Sequence, residues 1–317
     1  MIAAEAPSNI ALIKYMGKAS TKEDINRPTN ASISLTLPNL KSRVEIEPYQ
    51  GSKDLWEPLS SSDWGVGELS EKGMKKFLGH FAFLKAEMGI EGNYRIKSGN
   101  NFPADCGIAS SASSFAALTM AAYQLGQSEN PSLDLNQNQL AELSRRGLGS
   151  SCRSFGGPFV EWNKDGIVER DILGEFFHEV LILEDSKKSV SSSEAHQRVL
   201  TSSMFPGRVE RAEKRLATLI ESLETKNWQA AWQTSWDEFL DMHMLFQTSN
   251  PPFQYMTDKS FALISQIRKW SETKTVLPLV TMDAGANIHL IYHKGQKSIA
   301  DDLAQAGFDF DILRGCE

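Results

Sequence analysis

Four short segments of this chain hold residues whose types and spacing can do chemistry. The first, Pro103-Ala104-Asp105-Cys106-Gly107-Ile108-Ala109-Ser110-Ser111-Ala112-Ser113-Ser114, runs straight into a long stretch of small and apolar residues. Small residues let a backbone approach a ligand closely. The first N–H groups of a helix have no internal partners and face an anion, and serine hydroxyls bond phosphate oxygens or a metal. The segment suits a phosphate, although a serine-capped helix packed on a neighbour uses the same residues. The second segment, residues 6–18, sets Lys14 and Lys18 around Tyr15 and Gly17 after an apolar strand. It reads as a cationic site or as a strand running out into a solvated basic turn. In the third, residues 147–157, Gly149, Ser150, Ser151 and Arg153 suit an oxyanion or carboxylate clamp, because arginine offers a planar bidentate fork. An irregular helix-to-strand connection accounts for it equally. The fourth, residues 281–287, closes an apolar strand on Asp283 and turns at Gly285, which fits a catalytic carboxylate or a turn cap. The sequence has no G-x-x-x-x-G-K-[ST] loop, which excludes a Walker-type nucleotide site.

These groups have to be positioned by the elements around them. Residues 44–47 and 93–96 alternate as half-buried strands do, with a loop at Ser60 to Gly67 between them. Residues 110–125 read as a buried helix, and residues 138–146 as a second that stops at Gly147. Strands follow at 158–162 and 180–184. Beyond about residue 186 the pattern becomes helical. Val209, Ala212, Leu216, Leu219, Ile220 and Leu223 form one stripe, and Phe261, Ile264, Ile267 and Trp270 another. Between them Trp228, Trp232, Trp236, Phe239, His243 and Phe246 recur at the same spacing, which is the spacing of core packing more often than of a ligand box. Strands at 279–282 and 288–292 come last. The expectation is an α+β first domain, 1–185, and a second, 186–317, with helices on a small sheet.

The 317 residues carry 40 acids against 33 Lys and Arg, a net charge of -7. That excess argues against a nonspecific nucleic-acid surface, which needs clustered cations. Three scattered cysteines, Cys106, Cys152 and Cys316, make no disulfide framework and no zinc pair. No apolar run approaches bilayer length, and residues 1–7 do not read as a secretory signal. The expectation is a soluble cytoplasmic protein with no nucleic-acid or membrane partner.

Taken together and in order, the segments resemble the GHMP kinase superfamily, and within it the mevalonate diphosphate decarboxylase family. APSNIALIKYMGK at 6–18, RPTNASISLTL at 27–37, NNFPADCGIASSASSFAAL at 100–118 and RRGLGSSCRSFGGPFVEW at 145–162 carry the likeness. KKSVSSSEAH at 187–196, NPPFQY at 250–255 and TMDAGAN at 281–287 complete it. The resemblance implies a two-domain GHMP kinase fold, with a ribosomal-protein-S5-domain-2-like N-terminal domain, a ferredoxin-like C-terminal domain and the active site between them. It implies phosphorylation by ATP of the 3-hydroxyl of mevalonate 5-diphosphate, then loss of phosphate and CO2 to give isopentenyl diphosphate. ATP and Mg2+ are the implied cofactors, and a homodimer the implied assembly.

Carried over by position, Asp283 would orient or deprotonate the hydroxyl. Pro103, Gly107, Ala109, Ser110, Ser111, Ala112 and Ser113 would cradle ATP, with Ser111 orienting the γ-phosphate or holding Mg2+. Lys14 matches the position tied to ATP use. Tyr15 and Lys18 match positions around the reacting centre and the substrate diphosphate, Arg153 the residue on the substrate carboxylate, and Ser150, Ser193 and His196 the substrate side. The chain departs from the family at Leu148, where a serine near the diphosphate is usual, and at His196, where methionine is common. Asp105 adds an acid to the phosphate loop. A lost hydroxyl at Leu148 weakens the diphosphate contact by roughly 1–3 kcal/mol unless Ser151 compensates. A 5-monophosphate substrate, a kinase without decarboxylation, and an inactive binding module therefore stay open.

Overall fold

The structure, a computed structural model, describes the chain except for residues 22–23, 60, 62, 66–68, 103–109, 173, 184–189, 306–310 and 317, and the side chains of 311 and 313–316. The first sheet is organised by β1 (Ile2–Ile13) and β2 (Ser32–Pro48), which pair antiparallel along most of their lengths. β2 far exceeds the expected strand at 44–47. Its outer half alternates, with Val44 and Ile46 buried between half-exposed Arg43, Glu45 and Glu47, as expected of a sheet with one wet face. Its inner half, from Ser32 to Leu37, is buried throughout because protein covers both faces. β3 (Leu55–Pro58), β4 (Tyr94–Asn100), β5 (Phe159–Asn163) and β6 (Gly166–Arg170) complete the order β3-β4-β2-β5-β6, with β1 also on β2.

Three helices cover this sheet: α1 (Glu71–Met88), α2 (Ser110–Glu129) and α3 (Gln137–Gly147). α2 is the helix expected from residue 110, four residues longer. Its Ala112, Ala116, Ala117, Ala121 and Ala122 are all buried, so the small side chains let it lie close against the sheet. α3 starts at a capping box that Asn136 and Gln139 form and runs into a 3₁₀ turn at Gly149–Ser154.

The second sheet has the order β10-β7-β9-β8, built from β7 (Phe176–Ile182), β8 (Leu279–Thr281), β9 (Ile288–His293) and β10 (Asp311–Cys316), all antiparallel. α4 (Ser192–Arg198), α5 (Arg208–Glu224), α6 (Trp228–Gln247), α7 (Asp258–Ser271) and α8 (Lys297–Ala304) accompany it. β7 starts four residues before the expected strand at 180. It belongs to the second sheet although it falls ahead of the expected division at Ser186. The aromatic stripe on α6 is core: Trp232, Trp236, Phe239 and Phe246 are all buried. Ile10, Leu12, Ile33 and Leu35 of the first sheet share one apolar cluster with Val180, Leu279 and Ile291 of the second and Leu216 and Leu219 of α5. No described helix is long and apolar enough to cross a membrane.

Candidate active site

The end of β1, the start of α2, the 3₁₀ turn, α4 and the turn after β8 converge on one cleft of about 450 Å³. Lys14, Tyr15, Lys18, Ser110, Ser111, Ala112, Ser150, Arg153, Ser193, His196 and Asp283 all line it, so residues from five separate segments meet. Ser113 does not. It is fully buried on the far side of α2, where its hydroxyl lies 2.6 Å from that of Ser42; it fixes the helix to β2. Pro103, Asp105, Gly107 and Ala109 fall outside the described residues.

Lys14 leaves β1 just past a register shift between Ala11 and Ile13. Its ammonium, 2% exposed, donates to the Asp283 carboxylate at 2.7 Å and to the Ala11 carbonyl at 2.6 Å. The third N–H has no partner among the described residues. Burial lowers its pKa first of all; the charge and hydrogen bond of Asp283, and then Glu238, oppose that, while Arg153 adds to it. The backbone of Lys14 is held as firmly. Its N–H donates to Glu238 at 3.0 Å, and its carbonyl accepts from Asn30 at 3.0 Å and Arg208 at 3.3 Å. Asp283 is 25% exposed and faces the cleft.

Arg153 is 4% exposed, and its guanidinium donates to Ser32 and Ser34 on one face of β2. Among the described residues it has no carboxylate partner, and burial lowers its pKa. A buried cation whose described partners are neutral hydroxyls and the Trp162 ring, 5.8 Å from its guanidinium carbon, is costly until an anion joins it. This is the arrangement a substrate carboxylate completes.

Tyr15 and His196 form the opposite wall, ring centroids 4.3 Å apart, with Tyr15 also edge-on to Trp162. His196 accepts the Gly17 N–H at Nδ1, 3.1 Å away. Burial, then Lys18, Arg153 and Lys76, hold its pKa down to about 3. It is therefore neutral, and the Gly17 bond fixes the proton on Nε2, making the ring a donor. Gly17 has φ +103, and a Cβ there would meet Thr29 Oγ1 at 2.8 Å, so glycine is required for the backbone to reach the ring. Gly149 is equally constrained, since a Cβ would sit 2.6 Å from the Tyr15 ring.

Lys18 donates to Asn26 Oδ1 at 2.7 Å, and its pKa is lowered to about 8 by burial and then by Lys76. Sequence reasoning missed both neighbours. Asn26 sits at φ 62 and also accepts from Tyr15 while donating to the Arg145 and Arg146 carbonyls. Asparagine tolerates that left-handed backbone, but no motif singled it out. Ser151 cannot replace the hydroxyl absent at Leu148. It is buried, and its Oγ is taken up by Ser144 at 2.6 Å and the Leu148 carbonyl at 2.7 Å. Among the described residues four cations, Lys14, Lys18, Lys76 and Arg153, and one carboxylate, Asp283, line the cleft.

Comparison with known proteins places this arrangement. Residues 6–172 match the family described as Diphosphomevalonate decarboxylase-like N-terminal domain, and residues 179–308 match Mevalonate 5-diphosphate decarboxylase C-terminal domain. The chain belongs to the diphosphomevalonate decarboxylase family. A crystal structure of a mevalonate diphosphate decarboxylase from Legionella pneumophila is 41% identical, with a TM-score of 0.91 over 98% of this chain and 99% of that one. The structure of MDDEF in complex with MVAPP, AMPPCP and magnesium is 28% identical, with a TM-score of 0.85 over 99% and 97%. Diphosphomevalonate decarboxylase of Saccharomyces cerevisiae is 31% identical over 318 residues, covering 90% of this chain and 76% of its own. The two-domain fold expected from the sequence is thus the fold of this family, and the cleft just described lies where β1 and the Asp283 turn of the second sheet meet.

Proposed function

We propose that the chain is an ATP-dependent decarboxylase of mevalonate 5-diphosphate. One observation carries the reading: the Asp283 carboxylate, held at 2.7 Å by the Lys14 ammonium, shares a cleft with the buried, carboxylate-free Arg153. A kinase needs a base beside the acceptor hydroxyl; a decarboxylase also needs a cation for the carboxylate that will leave. A bound MVAPP, AMPPCP and magnesium in a relative of the same fold supports the same ligands here.

In this reading Arg153 holds the substrate carboxylate and so orients C3. Asp283 takes the proton of the 3-hydroxyl as that oxygen attacks the γ-phosphorus of ATP and ADP departs. Lys14 stabilises the negative charge passing over the transferred phosphoryl group. The 3-phosphate then leaves with its C–O electron pair, while the C–C bond to the carboxylate supplies the electrons of the new double bond and CO2 is released. Positive character at C3 is met by Asp283. Ser110 and Ser111, at the open start of α2, face the nucleotide. Among the described residues no three His, Cys, Asp or Glu side chains gather for a metal. Mg2+ keeps several waters and relies on nucleotide phosphates with few protein oxygens; in this reading the Ser111 hydroxyl would hold it. When bound, it neutralises phosphate charge.

The test supplies ATP with mevalonate, its 5-phosphate or its 5-diphosphate and measures ADP and CO2 together. Equal ADP and CO2 from the 5-diphosphate is expected. ADP without CO2 would identify a kinase, and preference for the 5-phosphate a monophosphate decarboxylase. Asp283→Asn is expected to lower turnover by at least about a hundredfold with AMPPCP affinity within about tenfold; near-normal turnover refutes the assignment. A cytoplasmic homodimer is proposed on family grounds; the division into two domains near residue 186 rests on the change in composition, while β7 and the family matches, 6–172 and 179–308, favour one a few residues earlier. A monomer mass in light scattering excludes the dimer.

A further inference from the structure

We infer that Lys76 is a specificity-determining residue that binds the terminal phosphate of the substrate, so that this cleft requires a diphosphate rather than a monophosphate. The inference rests on the function just proposed and names a residue that nothing in the four motif segments includes.

Lys76 sits on α1, between Lys75 and the fully buried Phe77. Its neighbour Lys75 behaves as a surface lysine does, paired with Glu71 at 2.6 Å. Lys76 has no carboxylate and no hydrogen-bond acceptor among the described residues. Its ammonium lies over the Phe115 ring, 5.3 Å from the centroid, at the start of α2. It lines the main cleft and also an adjoining cavity of about 390 Å³, whose wall includes Asn26, His80, Arg146 and Ser193. Ser193 likewise lines both. Lys76 and Ser193 therefore stand at the doorway between the two spaces.

The local charges all push the same way. Crowding by the surrounding protein and then Lys72 lower the Lys76 pKa, and Lys76 in turn lowers that of Lys18. Among the described residues the only acid lining the cleft, Asp283, is already bonded to Lys14. Two lysines facing the same space with no counter-charge repel one another until an anion enters. Lys18 with the Nε2–H of His196 is sufficient for one phosphate. A second cation at the doorway, beyond the first, matches a second phosphate and its added negative charge. It also supplies the contact that Leu148, a side chain without a donor, does not.

Wild type, Lys76→Gln and Lys76→Arg are compared. The Lys76 side chain is exposed, so neither substitution disturbs the core. Steady-state kinetics with mevalonate 5-diphosphate are paired with calorimetric titration of inorganic pyrophosphate and of orthophosphate into AMPPCP-saturated protein. For Lys76→Gln the expectation is a KM raised about tenfold to a hundredfold, from the loss of one charge-assisted hydrogen bond, with kcat and the KM for ATP changed by less than about threefold. Pyrophosphate affinity falls by the same factor and orthophosphate affinity by less than about threefold; Lys76→Arg restores both to within about fivefold. KM and pyrophosphate affinity within about twofold of wild type overturn the assignment. So does a wild-type protein that binds pyrophosphate no more tightly than orthophosphate. If wild type releases no CO2 from mevalonate 5-diphosphate, the proposed reaction falls, and the pyrophosphate titration alone decides for or against Lys76.

Discussion

At the level of single residues, the cleft leaves Lys18, Lys76 and Arg153 without a carboxylate partner among the described residues. Lys18 shows the consequence most directly. Burial, reinforced by Lys76, brings its pKa down to about 8, so it is a cation below that pH and loses its charge as pH rises through it. The profile of kcat/KM reports the free enzyme. With mevalonate 5-diphosphate it is expected to fall as pH rises through about 8, where the neutral amine no longer attracts the anion. His196, near 3, adds no comparable step near neutrality. Lys76→Gln removes the like charge and moves the limb to higher pH. A pH profile in which the limb stays in place would contradict that coupling. Lys14, Lys18, Arg153 and Asp283 were legible in the sequence because each lies in a short motif with a recognisable order. Lys76 and Asn26 were not. Lys76 lies in a run of lysines where a solvated helix face is the ordinary reading, and only the fold turns it into the cleft. Ser113 was misplaced for the converse reason. Four nearby serines look alike in sequence, and helical geometry alone decides that this one points at Ser42.

At the level of elements, the placement of Lys14 depends on two helices far away in the chain. Arg208 at the start of α5 and Glu238 within α6 are both fully buried and bonded to one another. Asp241, Arg211 and Arg215 extend the network. Glu238 takes the Lys14 N–H and Arg208 the Lys14 carbonyl, so the network sets the backbone from which the ammonium reaches Asp283. Replacing one member strands buried charge. Arg208→Met leaves Glu238 only Arg215 as an ion-pair partner and is expected to cost roughly 3–5 kcal/mol in urea unfolding. A loss below about 1 kcal/mol would mean the network is dispensable. Element identity was read well where periodicity was strong, as in α2, α3 and the α6 stripe. β2 was seen only at 44–47 because its inner half, before Pro38 and Asn39, is buried on both faces and does not alternate. The strand passes through them in a bulge, with Leu37 paired to Ser8 and Lys41 to Pro7. The start of β7 was missed because His178 and Glu179 look like surface residues. His178 is buried against His289, ring nitrogens 3.0 Å apart, a partner that sequence cannot supply.

At the level of the whole molecule, the decisive feature is that the two sheets, each with an apolar cluster of its own, also share a third. The cluster that holds Ile10, Leu12, Ile33 and Leu35 also holds Val180, Leu279 and Ile291. Polar bonds follow the same seam: Thr281 Oγ1 to the Ala11 carbonyl at 3.2 Å, Glu213 accepting the Ala31 N–H at 2.7 Å, and Lys14 bonded to Asp283. β7, which precedes residue 186, is a strand of the second sheet. A composition change in sequence marks where helices begin, but it does not mark where packing stops. Large chains with separable domains usually unfold in steps. A shared core and a shared seam instead couple the halves, because unfolding either one exposes apolar surface of the other to water. Calorimetry of the ligand-free protein is therefore expected to give one transition, with a ratio of calorimetric to van't Hoff enthalpy of about one. Ligands that touch both sides of the cleft should raise its midpoint without splitting it, through a stabilisation of about 2.7 kcal/mol at a hundred times Kd. Two resolved transitions in the ligand-free protein would show that the seam is weaker than its contacts imply, and that the Lys14–Asp283 pair is made anew each time the halves close.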